Sequence, residues 1–319
     1  MTHKIKLGAL ALVLSSSLLM GCSDDDDPIS VDNTIAGKVI STADFSTLED
    51  AINKANLQTT LRGTGPFTVF APDNAAFAAS GITPAVLNSL TSDQAATILL
   101  YHTLPAEVMA ANVPAGPNAK VITASGDSIY VTRNASGVYV NGIPVTQADI
   151  DATNGVIHKI SRVLLPPTGN LVETAQDPAN GLDSLVKAVL RANNTPGGDP
   201  NLVAALQSGT LTVFAPTNAA FTQVLNALSL NDINDIPIAT LTAVLKYHVV
   251  GGRAFSSDLS NGQVTMLAGG NTTVNLTNGT GGGPTITGSG NGTDRSNIVA
   301  TNIMATNGVV HVIDRVLLP

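Results

Sequence analysis

Histidine, cysteine, serine and carboxylate side chains carry most nucleophilic and metal chemistry, and this chain spends them sparingly. Its 319 residues include 5 histidines and 1 cysteine. Four histidines, His102, His158, His248 and His311, fall two to each half of the chain. Two histidines without a thiol make a thin ligand set, and no His-x-x-x-His or His-Glu pairing accompanies them. No metal and no cofactor is expected. Gly126-Asp127-Ser128-Ile129 has the outline of a serine-esterase start. Its Asp-x-x-His partner is missing, because Gly155 stands three residues before His158 and Gly308 three before His311. A hairpin turn accounts for the Gly-Asp pair without catalysis. Gly281-Gly282-Gly283 lacks a following Gly-Lys-Ser/Thr, so it cradles no nucleotide phosphate. No catalytic residue is assigned, and a surface hydrolase of esterase type stands only as an alternative.

The single cysteine has a clearer setting. Lys4 and Lys6 precede an apolar run from Leu7 to Leu14, then serines, then Leu18-Leu19-Met20-Gly21-Cys22. A basic start, a short apolar stretch and small residues before a cut site make a secretory signal. The stretch is too short for a spanning helix, which needs about 20 apolar residues. Leu19-Met20-Gly21-Cys22 resembles a bacterial lipobox, in which the cysteine becomes the new N-terminus and receives lipid. Each buried CH₂ of such a chain contributes about 0.8 kcal/mol of membrane affinity. Asp24 to Asp27 follow, and like charges in a row repel and stay extended as a solvated tether. The expectation is a signal over 1–21, lipid on Cys22 and a tether over 22–33. The chain would then be secreted through the inner membrane and lipid-anchored in the cell envelope, in the outer membrane, facing the periplasm or the surface.

Composition narrows the partners. The formal net charge is −8 with 15 Lys+Arg, which leaves no basic footprint for nucleic acid. Hydrophobic residues make up 44% and the chain has 17 prolines and 29 glycines, the profile of a folded, turn-rich protein. It has no Trp, 4 Tyr and 7 Phe, too few rings for an open aromatic platform. Hydrogen-bonding recognition by Asn and Thr loops stays open.

An internal repeat organises the rest. Phe67-Thr68-Val69-Phe70-Ala71-Pro72-Asp73-Asn74-Ala75-Ala76-Phe77 returns as Leu211-Thr212-Val213-Phe214-Ala215-Pro216-Thr217-Asn218-Ala219-Ala220-Phe221. Tyr101-His102 returns as Tyr247-His248, and Asn154-Gly155-Val156-Ile157-His158 as Asn307-Gly308-Val309-Val310-His311, each latter block running on to Val-Leu-Leu-Pro. The spacing grows toward the C-terminus, and the Gly-rich stretch 279–292 holds the last extra residues. Phe45, Leu48, Ile52 and Ala55 fall at helical spacing, as do Leu182, Leu185, Ala188, Val189 and Ala192. Thr-Val-Phe before Ala-Pro reads as a strand. Asp73 and Thr217 are placed to cap the helices that carry Asn74–Phe77 and Asn218–Phe221. Residues 95–101 and 241–247 read as a further helix in each copy. Val121–Thr123 and Ser128–Val131 flank a Ser-Gly-Asp turn and form a hairpin, and 137–142 add a strand and turn. Residues 156–165 and 309–318 are apolar on both faces and read as buried closing strands. Pro166-Pro167-Thr168-Gly169 reads as a stiff linker.

Three ordered blocks, each present twice, resemble the fasciclin domain. The resemblance implies an α+β fold, two tandem domains over 34–166 and 171–319 joined by 167–170, each a wedge-like β-sandwich with packed helices. It implies structural roles for Asn74, His158, Asn218 and His311. In animal members the neighbourhood of the Tyr-His pair is implicated in integrin contact, which makes Tyr101, His102, Tyr247 and His248 candidate binding residues. The competing reading is that these four end a core helix and hold the adjoining loop. For the histidines it predicts rings buried in the interior, neutral and hydrogen-bonded through at least one nitrogen. The functional expectation is an extracellular adhesion protein, held to a membrane by its lipid and binding an unknown surface protein or polysaccharide. A spacer without a specific ligand is the remaining alternative.

Overall fold

A computed structural model describes residues 31–319. Cys22, the signal segment and most of the expected tether lie outside the described residues. Among those described, no helix is long and apolar enough to cross a membrane.

The first half opens with three helices, α1 (Ile35–Ser41), α2 (Ser46–Lys54) and α3 (Gln58–Arg62), then β1 (Phe67–Pro72). Three more follow, α4 (Asn74–Ala79), α5 (Pro84–Ser89) and α6 (Ser92–Tyr101). The chain then stays extended through β2 (Thr103–Leu104), β3 (Gly116–Ile122), β4 (Ser128–Asn134), β5 (Gly137–Val140), β6 (Ile143–Ala152) and β7 (Gly155–Ile160). The second half follows the same order with one α-helix fewer after its first strand: α7 (Leu171–Gln176), α8 (Asp183–Asn194), α9 (Leu202–Ser208), β8 (Leu211–Pro216), α10 (Asn218–Ala227) and α11 (Ile238–Lys246). Its strands are β9 (Val249–Gly251), β10 (Gly262–Thr265), β11 (Asn271–Asn275), β12 (Thr285–Gly288), β13 (Ser296–Ala305) and β14 (Gly308–Ile313).

Local chemistry sets the helix starts. The Asp73 carboxylate accepts from the Ala76 amide, and the Thr217 hydroxyl from the Ala220 amide, at the entries to α4 and α10. Thr91 with Gln94, and Asn170 with Glu173, form capping boxes on α6 and α7.

Each half builds a seven-stranded sheet, in the orders β2-β1-β7-β6-β5-β4-β3 and β10-β11-β12-β13-β14-β8-β9. The two repeated strand motifs are direct neighbours: β1 and β7 pair in parallel with Phe70 opposite His158, and β8 and β14 with Phe214 opposite His311. All other neighbouring strand pairs run antiparallel.

Strand alternation divides the core in two. Val69 and Ile157 point to one side, where they meet Leu48, Ala51 and Ile52 of α2 and Leu99 of α6. Phe70 and Ile160 point to the other and meet Ile129 and Val131 of β4 and Val140 of β5. Strands far apart in the ladder thus share one core, so the sheet folds back on itself into a wedge. The fold runs through β6, whose register shifts on either side of Gln147 and whose Asp149 has a positive φ of 58°; such bulges bend a strand sharply. The second half repeats the arrangement, with Phe214, Val274, Ile286 and Ile313 in its wedge.

The closing strands are shorter than expected. They end at Ile160 and Ile313 rather than running to Leu165 and Leu318. Past that point side chains replace ladder partners: the Val163 amide donates to Ser80 Oγ and the Leu164 amide to His102 Nε2.

Candidate functional site

The sequence-selected residues converge on the interior. Tyr101, His102, Tyr247 and His248 are each 0–1% exposed, and the dipeptide works in two directions. Tyr101 Oη donates to the Ser128 carbonyl at 3.1 Å and accepts from Asn141 Nδ2 at 3.1 Å, fixing the end of α6 to the β4 hairpin. Burial raises the Tyr101 pKa to about 12. Tyr247 Oη donates to the Asn271 carbonyl at 2.5 Å and accepts from the Ser289 amide at 3.2 Å.

His102 turns the other way. Its Nδ1–H donates to the Ile98 carbonyl at 2.7 Å, and its Nε2 accepts from the Leu164 amide at 2.9 Å. His248 repeats this with Val244 and Leu317, at 2.7 and 2.9 Å. Each ring is therefore a neutral Nδ1–H tautomer with both nitrogens engaged. Burial lowers both pKa values to about 4. Contact with a partner through these four side chains would require them to leave the core.

The strand histidines hold the loop after the second helix group. His158 Nε2 donates to the Val108 carbonyl at 2.8 Å, and its Nδ1 accepts from the Asp149 amide at 3.2 Å. His311 Nε2 donates to the Ala254 carbonyl at 2.9 Å, while its buried Nδ1 has no partner. Burial lowers the His311 pKa. Phe70 packs on His158 and Phe214 on His311, with ring centroids 5.5 and 5.4 Å apart.

Asn74 and Asn218 join the strand exit to the second helix of each domain. Asn74 Oδ1 accepts from the Thr47 amide and Asn218 Oδ1 from the Ser184 amide, each at 2.9 Å. Asn154 and Asn307 were not singled out as site residues, although they begin a repeated block. Asn154 Oδ1 accepts from the Ile35 amide, and its Nδ2 donates to the Leu61 and Gly63 carbonyls. Asn307 does the same for Leu171, Leu206 and Gly209. Ser128 of the esterase-like tetrapeptide opens β4, and Gly126, with φ of 90°, makes the turn before it. Among the described residues no group of three or more His, Cys, Asp or Glu could hold a metal ion.

Sequence reasoning also missed the seam between the domains. Phe255 is fully buried against Met304, Val309 and Tyr130 of the first domain. The Arg253 guanidinium lies 4.3 Å above the Tyr130 ring centroid. Asn118 Nδ2 donates to the Arg253 carbonyl at 2.7 Å and to Asp258 Oδ2 at 2.9 Å. Signals of this kind are tertiary, and neither Tyr130 nor Arg253 belongs to a repeated block.

One outer face is polar and concave. A cavity of about 640 Å³ opens over β11 and β12, walled by Asn271, Thr273, Asn275, Thr287, Gln263 and Arg295 among others. Thr273 sits opposite Thr287, and Asn275 opposite Thr285. Such a surface offers neutral donors and acceptors, with one guanidinium.

Residues 43–166 and 197–319 each match the fasciclin domain model. The chain belongs to the fasciclin-domain family and carries two such domains in tandem. Protein sll1483 of Synechocystis is 42% identical over 125 residues, covering 39% of this chain and 68% of that protein. Transforming growth factor-beta-induced protein ig-h3 of Sus scrofa is 36% identical over 143 residues, covering 45% of this chain but only 21% of the relative. Immunogenic protein MPB70 of Mycobacterium bovis is 35% identical over 121 residues, 55% of its length. A solved fasciclin domain pair from the insect cell adhesion molecule Fasciclin I aligns with 86% of this chain at 18% identity and a TM-score of 0.40. Fasciclin domains are generally involved in cell adhesion or protein interaction.

Proposed function

We propose that the protein is a lipid-anchored adhesion module of the cell envelope, tethered through Cys22 and presenting its two domains to an extracellular protein or polysaccharide. The observation that carries this reading is the commitment of the motif side chains. His102, His158 and His248 use both ring nitrogens in structural bonds, so the residues best suited to acid–base work are spent on the fold. The polar concavity over β11 and β12 supports a hydrogen-bonding ligand such as a polysaccharide. Two domains on one tether also favour avidity, which can exceed either single affinity by about 10²–10⁴ when both engage.

Two measurements test the proposal. Radiolabelled palmitate should enter the full chain and not the Cys22→Ala variant, and the variant should leave the membrane fraction. Full chain displayed on cells should retain purified envelope polysaccharide or surface protein, in competition with free protein. Turnover of ester or glycoside probes without such retention would favour the hydrolase instead.

A further inference from the structure

The two domains are built alike and differ at one position where the difference leaves a hole. In the second domain Thr212 Oγ1 donates to the Gly252 carbonyl and accepts from the Ala254 amide, both at 2.8 Å. In the first, Thr68 Oγ1 donates to the Ala106 carbonyl at 2.7 Å and accepts from the Val108 amide at 2.8 Å. The residue between, Arg253 in one and Glu107 in the other, therefore occupies the same place. The turn it faces is also the same. Asn154 and Asn307 make matching bonds, as described above, and the Thr153 and Thr306 amides donate to Asn33 and Gly169 at 2.9 Å each.

Arg253 fills its site. Nη1 donates to the Ala305 carbonyl at 3.2 Å and the Gly308 carbonyl at 2.5 Å, and Nη2 donates to the Thr306 carbonyl at 3.1 Å. The corresponding carbonyls of the first domain belong to Ala152, Gly155 and Thr153. Here no guanidinium arrives. Those residues and the exposed Glu107 wall a cavity of about 400 Å³. Arg62 also borders it, but Asp32 holds its Nε at 2.8 Å and Gln58 accepts from its Nη1 at 3.3 Å. The Arg62–Asp32 pair is neutral as a unit, so Glu107 leaves the cavity with acceptors and a net negative charge.

We propose that this cavity of the first domain receives an arginine side chain from an extracellular partner protein, its guanidinium donating to the carbonyls of Ala152, Thr153 and Gly155 and pairing with Glu107. The second domain supplies the template, because its own Arg253 already sits in that geometry. A planar fork of five donors suits several fixed carbonyls better than an ammonium does. The biological sense of the site rests on the reading of the chain as an interaction module. The site is half-open, so a lone side chain binds weakly, with a Kd on the order of 1 mM, and binding weakens as salt rises.

The test follows amide chemical shifts of the full isotope-labelled chain during titration with the blocked peptide acetyl-Gly-Arg-Gly-amide. Saturable shifts are expected at Glu107, Thr153 and Gly155. The citrulline peptide, uncharged but nearly isosteric, should bind about tenfold more weakly or worse, and the lysine peptide should also be weaker. Glu107→Arg supplies the guanidinium in cis and should abolish the shifts, while Glu107→Gln should weaken binding several-fold. Both changes lie on an exposed side chain, and the remaining amide spectrum reports whether the fold is kept. Free L-arginine should bind no better than the peptide, since Glu107 repels its carboxylate. Absence of saturable shifts at these residues, equal binding of citrulline, or undiminished binding to Glu107→Arg would overturn the proposal. Much tighter binding of free arginine would overturn the protein partner in favour of a small metabolite. This titration reads the cavity alone, so it can fail while envelope adhesion stands, and the reverse.

Discussion

His102 and Leu164 lie 62 residues apart in the chain and one hydrogen bond apart in space, the Leu164 amide donating to Nε2 at 2.9 Å. His248 and Leu317 repeat the bond at the same length. The central Tyr-His pair and the terminal Val-Leu-Leu-Pro block are therefore two ends of one contact. It closes each domain by attaching the chain past its last strand to the end of α6 or α11.

That contact makes folding sensitive to acid. The folded pKa of His102 and of His248 is about 4, against an ordinary value of 6.5. Between these values the unfolded chain binds more protons, so stability falls as pH falls. The contribution is fully present above about pH 6.5 and is lost as pH drops toward 4, roughly 3 kcal/mol for each ring. Urea unfolding at successive pH values should show this decline. The His102→Asn, His248→Asn double variant should be less stable at pH 7 and flatter across the window.

Asn154 satisfies one amide and two carbonyls from three separate segments. Asn154→Ala strands those groups, and each unmet buried group costs about 1–3 kcal/mol less whatever water recovers. A loss of about 2–4 kcal/mol from the first domain is expected in chemical denaturation. Asn307→Ala should do the same to the second.

Gly155 has a φ of 146°, and a Cβ there would meet the Phe67 carbonyl oxygen, its parallel-strand neighbour. Both backbone conformation and space exclude a side chain. Gly155→Ala should cost more than the roughly 1 kcal/mol of a simple conformational penalty, with a lowered thermal midpoint in calorimetry. The less demanding Gly126→Ala, in an open turn with a φ of 90°, should cost less.

The seam should couple the two domains. Tyr130→Ala removes both the ring beneath Arg253 and the ring beside Phe255, whose centroid is 5.9 Å away. Cation–π and aromatic pairing contribute roughly 1–3 kcal/mol together. The variant should separate the two unfolding transitions and enlarge the radius of gyration in small-angle scattering. An unchanged single transition would show that the seam carries little of the coupling.

Much of the fold was legible because its signals are local and written twice. Thr-Val-Phe-Ala-Pro, the caps at Asp73 and Thr217 and the β3–β4 hairpin follow from side-chain shape and turn chemistry. What joins them was not. Nothing local says that Phe70 lies beside His158, since parallel neighbours are set by the whole path of the chain. The short helices α1, α3 and α5 carry too few turns to show a period. The overlong closing strands had a physical cause, because Val163 and Leu164 are apolar and buried like strand residues but take their hydrogen bonds from side chains. The Tyr-His dipeptide alone is compatible with burial or binding, and only the folded chain places it inside; solvent-facing residues that line cavities, such as Glu107 and Thr273, sit outside the repeated blocks.

The central claim is that the chain acts by binding while its motif residues hold the interior. Retention of envelope polysaccharide and surface protein by immobilised full chain tests it most directly, measured beside the His158→Gln and His311→Gln variants at a temperature where both remain folded. The account predicts saturable retention, competed by free protein and unaffected by the histidine changes. Saturable turnover of ester or glycoside probes that vanishes in those folded variants, without retention, would contradict it.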